Sequence, residues 1–258
     1  MRFCSLGSGS SGNATLVEAT NGITTTRLLI DAGFSLREVE TRLQRFGLSG
    51  ADLDAVFVTH EHGDHVGCAL ALAERHGLAI WMSRGTWRAI GPAAAPARLA
   101  FARDGEAIAV GDLEVLPFTV AHDAAEPLQL RCSDGNVALG VLTDLGSITA
   151  HMLESIDGCD ALVLECNHDA DRLASSRYPA SVKSRIGGRF GHLNNATAAE
   201  ILARAGGGRM SHVVAAHLSR ENNSPQLVRT ALAAERGNDP RDLVIADPVT
   251  GFDWLAIG

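Results

Sequence analysis

The sequence predicts a mixed α/β sandwich, with β-sheets inside and helices outside. Short runs rich in valine, leucine and isoleucine, bounded by glycine, aspartate or serine, indicate strands. Other segments carry apolar residues at helical spacing. Strands and helices mix without strict alternation, which disfavours a purely parallel sheet. No low-complexity block or Pro/Gly linker divides the 258 residues, so we expect one domain over 1–258.

Six segments predict strands, and several of them end on a histidine or an aspartate. They are RLLID (27–31), DAVFVTH (54–60), LEVLPFTVAH (113–122), VALGVLTD (137–144), DALVLE (160–165) and HVVAAH (212–217). Four segments predict helices: LREVETRLQRF (36–46), VGCALALAERHG (66–77), NNATAAEILARAG (194–206) and SPQLVRTALAAE (224–235). The last of these has the Ser-Pro start typical of a helix.

Two further segments predict irregular structure. The glycine-rich stretch GSGSSGN (7–13) predicts a hairpin turn, and anion binding by its backbone amides is the alternative. The stretch AIGPAAAPARLAFARDG (89–105) predicts an irregular surface segment.

Composition and charge narrow the class of protein. A chain with 46% apolar residues can bury a substantial core. It has no 18-residue apolar run and no secretion-signal pattern, so we expect a cytoplasmic protein that does not cross a membrane. Five scattered cysteines without CxxC spacing indicate neither a disulfide framework nor a thiolate zinc site, and Cys166 is interpreted as packing. A net charge of −8 permits only a local basic groove for nucleic acid.

The stretch VFVTHEHGDHVG (56–67) concentrates groups that bind metals. His60 and His62 are two residues apart at a strand end, so their side chains leave the same face. Asp64 and His65 follow where a helix begins, and they point elsewhere. A structural role is disfavoured, because clustered imidazoles repel when protonated and lack partners when buried neutral. The pattern predicts two pairs of ligands for two divalent cations, with zinc, manganese and iron as the candidates.

A catalytic metal needs about three protein ligands, so this stretch is too short for two metals. The further candidates are Asp31, His122, Asp144 and His217, because each ends an apolar strand. Taken singly, such residues are more often turn formers or helix caps, and that alternative stays open.

The heptapeptide THEHGDH (59–65) resembles the THxHxDH signature of the metallo-β-lactamase fold hydrolases. The family's further motifs match Asp31, His122, Asp144 and His217, in that order along the chain. The resemblance implies a four-layer αββα sandwich. It also implies one metal held by His60, His62 and His122, another held by Asp64, His65 and His217, a bridging Asp144, and an orienting Asp31 behind the ligands.

Four segments are similar to the YycJ/WalJ-type subgroup within the tRNase Z and phosphodiesterase-like branch of this family. They are FCSLGSGSSGN (3–13), ECNHD (165–169), FGHLNN (190–195) and AAHLSRENNSP (215–225), with Asn194 where the subgroup more often has serine. The resemblance implies phosphodiester hydrolysis, with 5′-to-3′ exonuclease activity on DNA. It implies that Asp64 and Asp144 position the attacking hydroxide, and that His192 stabilises the scissile phosphate or protonates the leaving oxygen.

Five basic residues precede His192 in an otherwise acidic chain: Arg172, Arg177, Lys183, Arg185 and Arg189. Such a segment can supply phosphate contacts, and a solvated helix face is the alternative. Expected substrate contacts are Lys183, Arg185, Arg189, Asn194 and Asn222.

The leading hypothesis is therefore a binuclear phosphodiester hydrolase with DNA as its substrate. A small or cyclic phosphodiesterase is one alternative, and a non-catalytic metal-binding regulatory protein is another. Ligand types alone do not select among zinc, manganese and iron. The sequence also leaves the oligomeric state undetermined.

Overall fold

In a computed structural model, which describes residues 1–206, 210–233 and 243–258, the strands form two sheets. The first sheet contains β1 (Arg2–Gly7), β2 (Ala14–Thr20), β3 (Thr25–Ile30), β4 (Ala55–Phe57), β5 (Ala79–Met82), β6 (Leu99–Phe101) and β14 (Phe252–Ala256). Its strand order is β14-β1-β2-β3-β4-β5-β6. The strands β3 to β6 are parallel, and the other pairs are antiparallel.

The second sheet has the same arrangement of antiparallel and parallel strand pairs as the first. It contains β7 (Ile108–Val110), β8 (Leu113–Thr119), β9 (Leu128–Ser133), β10 (Ala138–Leu142), β11 (Ala161–Glu165), β12 (His212–Ala216) and β13 (Leu243–Ile245). Its order is β13-β12-β11-β10-β9-β8-β7, with β10 to β13 parallel and the other pairs antiparallel.

Helices cover the outer face of each sheet. The helices of the described residues are α1 (Leu36–Gln44), α2 (Gly63–Val66), α3 (Ala69–His76), α4 (Arg84–Ile90), α5 (Ala150–Ile156), α6 (Ala170–Ser175), α7 (Ala180–Ile186), α8 (Asn195–Arg204) and α9 (Pro225–Leu232), and not all of them lie on a sheet. The first sheet packs on α1 and α3, and the second packs on α5, α8 and α9. This is the four-layer αββα sandwich predicted from the sequence. Among the described residues, no helix is both long enough and apolar enough to cross a bilayer.

The side chains of each central strand alternate between two apolar cores. In β11, Val163 belongs to the cluster shared by both sheets, whereas Leu162 and Leu164 face the helices. Both faces of such a strand are buried, which explains why these segments read as continuous apolar runs. The shared cluster contains residues of both sheets, so the two sheets have a common core. We propose on this basis that residues 1–258 form a single domain.

The observed elements differ from the predicted ones mainly at their ends. The strand predicted at 54–60 ends at Phe57, and the helix predicted at 66–77 begins only at Ala69, because Val66 is the last residue of the separate helix α2. The stretch 89–105 is not irregular throughout, because Leu99–Phe101 pairs with β5 as an edge strand. Residues 8–13 connect the antiparallel strands β1 and β2 as the predicted hairpin. Residues 234 and 235 of the predicted final helix lie outside the described residues.

The strand ends that carry polar residues meet at one edge of the sandwich. Asp31 follows β3, Asp144 lies two residues beyond β10, and His217 follows β12. Because parallel strands present their carboxyl ends at the same edge, residues distant in sequence come together there.

Candidate metal centre

Three groups of side chains at this edge are arranged to bind cations. Within each group, the possible ligand atoms lie within 4.8 Å of one another. The groups are His60, His62, His122 and Asp144; Asp64, His65, Asp144 and His217; and Asp144, Glu165, His192 and His217. The first two contain all seven residues expected from the sequence, and Asp144 belongs to every group. Their roles as ligands stay proposals.

Three residues of the centre adopt a backbone conformation that non-glycine residues rarely use. The φ angles are +61° for Asp31, +59° for Asp144 and +53° for His217. Each such conformation costs on the order of 1–3 kcal/mol and persists only where the surrounding structure enforces it. The left-handed turn after the strand redirects each side chain, and such strain is concentrated at functional sites.

A close backbone contact positions the short helix α2, which carries Asp64 and His65. The Ala32 amide donates to the carbonyl of His65 at 2.9 Å, and the Asn13 amide donates to the carbonyl of Asp64 at 2.8 Å. A Cβ atom at Gly33 would lie 1.7 Å from that Asp64 oxygen. Only glycine fits at position 33, so the approach of these segments depends on it.

The hydrogen bonds of two rings fix which nitrogen faces the centre. His122 Nδ1 lies 3.0 Å from the Gly191 carbonyl oxygen, which only accepts, so Nδ1 carries the proton. His65 Nδ1 lies 2.7 Å from an Asp31 carboxylate oxygen. In both rings Nε2 is therefore the atom available to a metal.

His60 is oriented through Thr59. The Thr59 hydroxyl lies 2.9 Å from Asp31 Oδ2 and 3.0 Å from His60 Nδ1. A hydroxyl has one proton, and an ionised carboxylate only accepts, so Thr59 donates to Asp31 and accepts from His60. Asp31 thus orients one ring directly and another through Thr59. This arrangement supports the proposed orienting role of Asp31.

Several contacts suit a cation better than a protein hydrogen bond. His62 Nδ1 lies 3.1 Å from His60 Nε2 and 3.3 Å from His122 Nε2, so three ring nitrogens converge. Nε2 of His217 is buried and has no hydrogen-bond partner among the described residues. Converging imidazole nitrogens and carboxylate oxygens are a donor set for zinc, manganese or iron. The residues present therefore fit divalent metal ions.

The two groups expected to bind metals differ in their protonation. Burial, together with the like charge of His65, lowers the pKa of His60 to about 4. Burial also lowers the pKa of His122. Burial opposes charge on His65 as well, but the carboxylates of Asp144 and Asp31 outweigh it and raise its pKa to about 10. The pKa of His217 rises above its usual range, because Asp144 outweighs burial.

We expect this difference to appear as proton release when metal binds. At neutral pH His60 and His122 are already neutral, whereas His65 and His217 hold protons that a cation must displace. A pKa raised to about 10 means that His65 keeps its proton from below pH 6.5 until the pH approaches 10. The group with Asp64, His65 and His217 should therefore release about two protons, and its apparent metal affinity should rise with pH over that range.

Calorimetric titration of the metal-free protein with zinc, in buffers of different ionisation enthalpy, measures this release. Two binding events per chain are expected, only one of them strongly coupled to protons. The variant His122→Ala should weaken the binding event that releases few protons. Equal proton release in both events would contradict the assignment.

His192 forms a pair with a buried glutamate that the sequence reasoning missed. His192 Nδ1 lies 2.7 Å from Glu165 Oε1 and 3.3 Å from Asp144 Oδ1. Burial opposes its charge, but Glu165 and Asp144 outweigh it and raise the pKa of His192 to about 10. The other Glu165 oxygen accepts from the amides of Leu145 and Leu193 at 2.9 and 3.2 Å. Glu165 therefore fixes the orientation of the His192 ring and stabilises its protonated form.

A signal for Glu165 was present in the sequence. Glu165 is the last residue of β11, between strands whose ends carry Asp144 and His217. The strand-end rule used for those two residues also applies to it.

The expected substrate contacts lie in different surroundings. Lys183 and Arg185 are on α7, where Lys183 donates to the Ala174 carbonyl and Arg185 pairs with Asp123 at 2.8 Å. Asp123 in turn lies 4.0 Å from His62, so Arg185 is at the rim of the centre.

Two asparagines of the predicted set lie outside the cluster of metal-competent groups. Asn194 caps α8 by accepting from the Thr197 amide at 2.9 Å. Asn222 is buried and donates to Ser219 Oγ at 3.4 Å. Since Asn194 caps that helix, His192 is left without a capping role.

Comparison with known proteins shows similarity along most of the chain. Residues 26–217 match the family model of the beta-lactamase superfamily domain. The chain is 35% identical over 237 residues to a Bacillus anthracis protein named exodeoxyribonuclease YycJ, covering 90% of this chain and 88% of the relative. It is 32% identical over 259 residues to exodeoxyribonuclease WalJ of Streptococcus pneumoniae, covering 98% and 92%.

Solved structures show the same fold at lower sequence identity. The metallo-β-lactamase fold protein YhfI of Bacillus subtilis has a TM-score of 0.74, 17% identity and 98% coverage of both chains. The short form of human tRNase Z has a TM-score of 0.67, 15% identity and full coverage of both chains. At these identities the likeness establishes the fold alone.

Proposed function

The chain belongs to the metallo-β-lactamase superfamily, in the subgroup of the YycJ and WalJ relatives, and is a metal-dependent hydrolase; from this premise we propose that it is a DNA exonuclease. The relatives of 32–35% identity are named as exodeoxyribonucleases. The 5′-to-3′ direction rests on the subgroup resemblance and belongs to the same proposal.

The observation that carries the proposal is the position of Asp144. Its carboxylate contacts His65 Nε2 at 2.6 Å, His60 Nε2 at 3.4 Å and His192 Nδ1 at 3.3 Å. The Asp144 carboxylate therefore contacts residues of both expected metal groups, and it also contacts His192, which Glu165 holds in place. This combination suits hydrolysis of a phosphodiester, which needs an activated water, charge neutralisation and a proton for the leaving oxygen.

Bound divalent cations would supply the Lewis acidity that activates water and neutralises the phosphate oxygens. The protein residues orient that chemistry. Asp144 contacts His60 and His65, and Asp64 lies 3.7 Å from His65 and 3.6 Å from His217. Both carboxylates can accept a hydrogen bond from the attacking water. His192 carries a proton that it can donate to the phosphate or to the departing oxygen, because Glu165 and Asp144 keep its pKa high.

The basic segment supports a polyanionic substrate. Arg172 and Lys183 bond to neutral carbonyl oxygens of Asn223 and Ala174, so their charges are not cancelled by those partners. Arg185 is paired with Asp123. Arg189 is exposed in the loop before His192. The segment before His192 therefore carries positive charge that can bind phosphates.

The test is hydrolysis by zinc- or manganese-loaded protein of 5′-labelled and 3′-labelled single-stranded DNA, duplex DNA, RNA and an aryl phosphodiester. We expect mononucleotide release from DNA, beginning at the 5′ end, and weaker turnover of RNA. Turnover of the aryl diester without turnover of any nucleic acid would favour the small-molecule phosphodiesterase. Internal fragments instead of mononucleotides would contradict an exonuclease.

A further inference from the structure

A large aromatic side chain is exposed beside the metal centre. Among the described residues, the large apolar side chains classed as exposed are Ile23, Val182, Phe190 and Val249, and Phe190 is 53% exposed. Single exposed apolar residues are common and need no explanation by themselves. Phe190 differs from Ile23 and Val249 in its location, because it lies two residues before His192.

The loop that carries Phe190 is held by backbone contacts. The Gly191 amide donates to the Gly188 carbonyl at 2.9 Å, and the His192 amide donates to the Ile186 carbonyl at 2.8 Å. A Cβ atom at Gly146 would lie 2.5 Å from the Arg189 oxygen, so the loop packs directly against the segment after Asp144. The exposed ring is therefore presented from an ordered backbone.

The same loop contacts the expected metal ligands. The carbonyl of Gly191, the next residue after Phe190, accepts the hydrogen bond that orients His122. The backbone of Phe190 is therefore adjacent to the Gly191 carbonyl, which orients the His122 ring. A substrate that reaches His192 must pass close to this loop.

One positive charge lies next to the ring, and two more are carried by the helix that precedes it. The Arg189 guanidinium carbon lies 5.6 Å from the centroid of Phe190. The neighbouring helix α7 has no buried residue and carries Lys183 and Arg185 in its last turn. Exposed aromatic rings among basic side chains are the arrangement with which proteins bind single-stranded nucleic acid, by stacking on bases and neutralising phosphates.

We propose that Phe190 stacks on the nucleobase of the nucleotide adjoining the scissile phosphate. This inference rests on the proposed nuclease function and adds a residue that positions the substrate. Stacking tolerates every base, because each has a flat π-face, so the contact would favour an unpaired strand end without selecting a sequence.

The test pairs a change in the protein with a change in the substrate. Wild type, Phe190→Ala, Phe190→Leu and Phe190→Trp are compared on two single-stranded oligodeoxynucleotides, one intact and one with an abasic terminal nucleotide. For each variant the quantity measured is the ratio of kcat/KM for the intact strand to kcat/KM for the abasic strand. Metal content and thermal unfolding are recorded for every variant, and Ile23→Ala serves as the matched control.

In wild type the intact strand should be preferred, and Phe190→Ala should reduce that ratio by about 5- to 150-fold, the range for stacking one base. Phe190→Leu should reduce it too, since leucine lacks a flat ring, whereas Phe190→Trp and Ile23→Ala should keep it. A ratio unchanged in Phe190→Ala, with DNA hydrolysis intact in wild type, would overturn the stacking contact and leave the nuclease proposal standing. Wild type inactive on every nucleic acid would overturn both.

Discussion

The substitution Asp144→Asn should abolish phosphodiester hydrolysis and reduce the bound metal below two ions per chain. The change keeps the size of the side chain but removes the negative charge shared by both expected metal groups. It also leaves His65 and His217 without the carboxylate that they contact. We expect turnover to fall by about 10³-fold or more, beyond the ~10–100-fold loss typical for groups that only orient ligands.

Metal analysis and turnover should be measured on the same preparations. The matched control is Asp253→Asn, which changes an exposed aspartate on β14 and should keep both metals and full turnover. If Asp144→Asn retains wild-type turnover, Asp144 is not part of the reacting centre.

The substitution His192→Ala should keep both metals and lose turnover by roughly 10²–10⁴-fold, the range expected for one acid–base or charge-stabilising group. His192 is not among the residues expected to bind the two metals, although it lies with Asp144, Glu165 and His217 in a third cluster. The alternative role as a helix cap is already filled by Asn194. The loss should therefore appear in kcat with unchanged metal content, and any loss of stability should come from Glu165, which loses its ion-pair partner, rather than from the helix cap.

The variant His217→Ala separates the two histidines. It should lose metal as well as turnover, because His217 lies with Asp64 and His65. The control is His151→Ala, which removes an exposed histidine paired with Asp104 and should leave metal content and turnover unchanged. Loss of one metal equivalent in His192→Ala would show that His192 is a ligand and that the two roles were exchanged.

Glu165→Gln gives a graded comparison with His192→Ala. It keeps the size of the buried side chain but removes the charge that holds the proton on His192. A smaller loss of kcat than in His192→Ala, with unchanged metal content, would identify Glu165 as a positioning residue.

Much of the architecture and the main cluster of polar residues could be predicted from local patterns. Apolar runs such as 160–165 predict strands because both faces of β11 are buried, and that signal does not depend on distant contacts. The HxHxDH spacing predicts a metal centre because it concentrates imidazoles that a fold otherwise keeps apart. The ends of the helices and strands were predicted less accurately than their positions. The strand predicted at 54–60 is β4, which ends at Phe57, because the end of a strand depends on which backbone groups find hydrogen-bond partners.

The sequence by itself determined the class of fold, the strands whose ends carry polar residues, and the set of seven residues expected to bind metals. The tertiary structure alone decided which ring nitrogens face the centre, that Glu165 holds His192, and that Phe190 is exposed next to it. Those features depend on contacts between segments far apart in the chain, such as His122 with Gly191. Local patterns report the burial of a residue, but the partner of a polar group is selected only when the sheets pack and bring distant strand ends together.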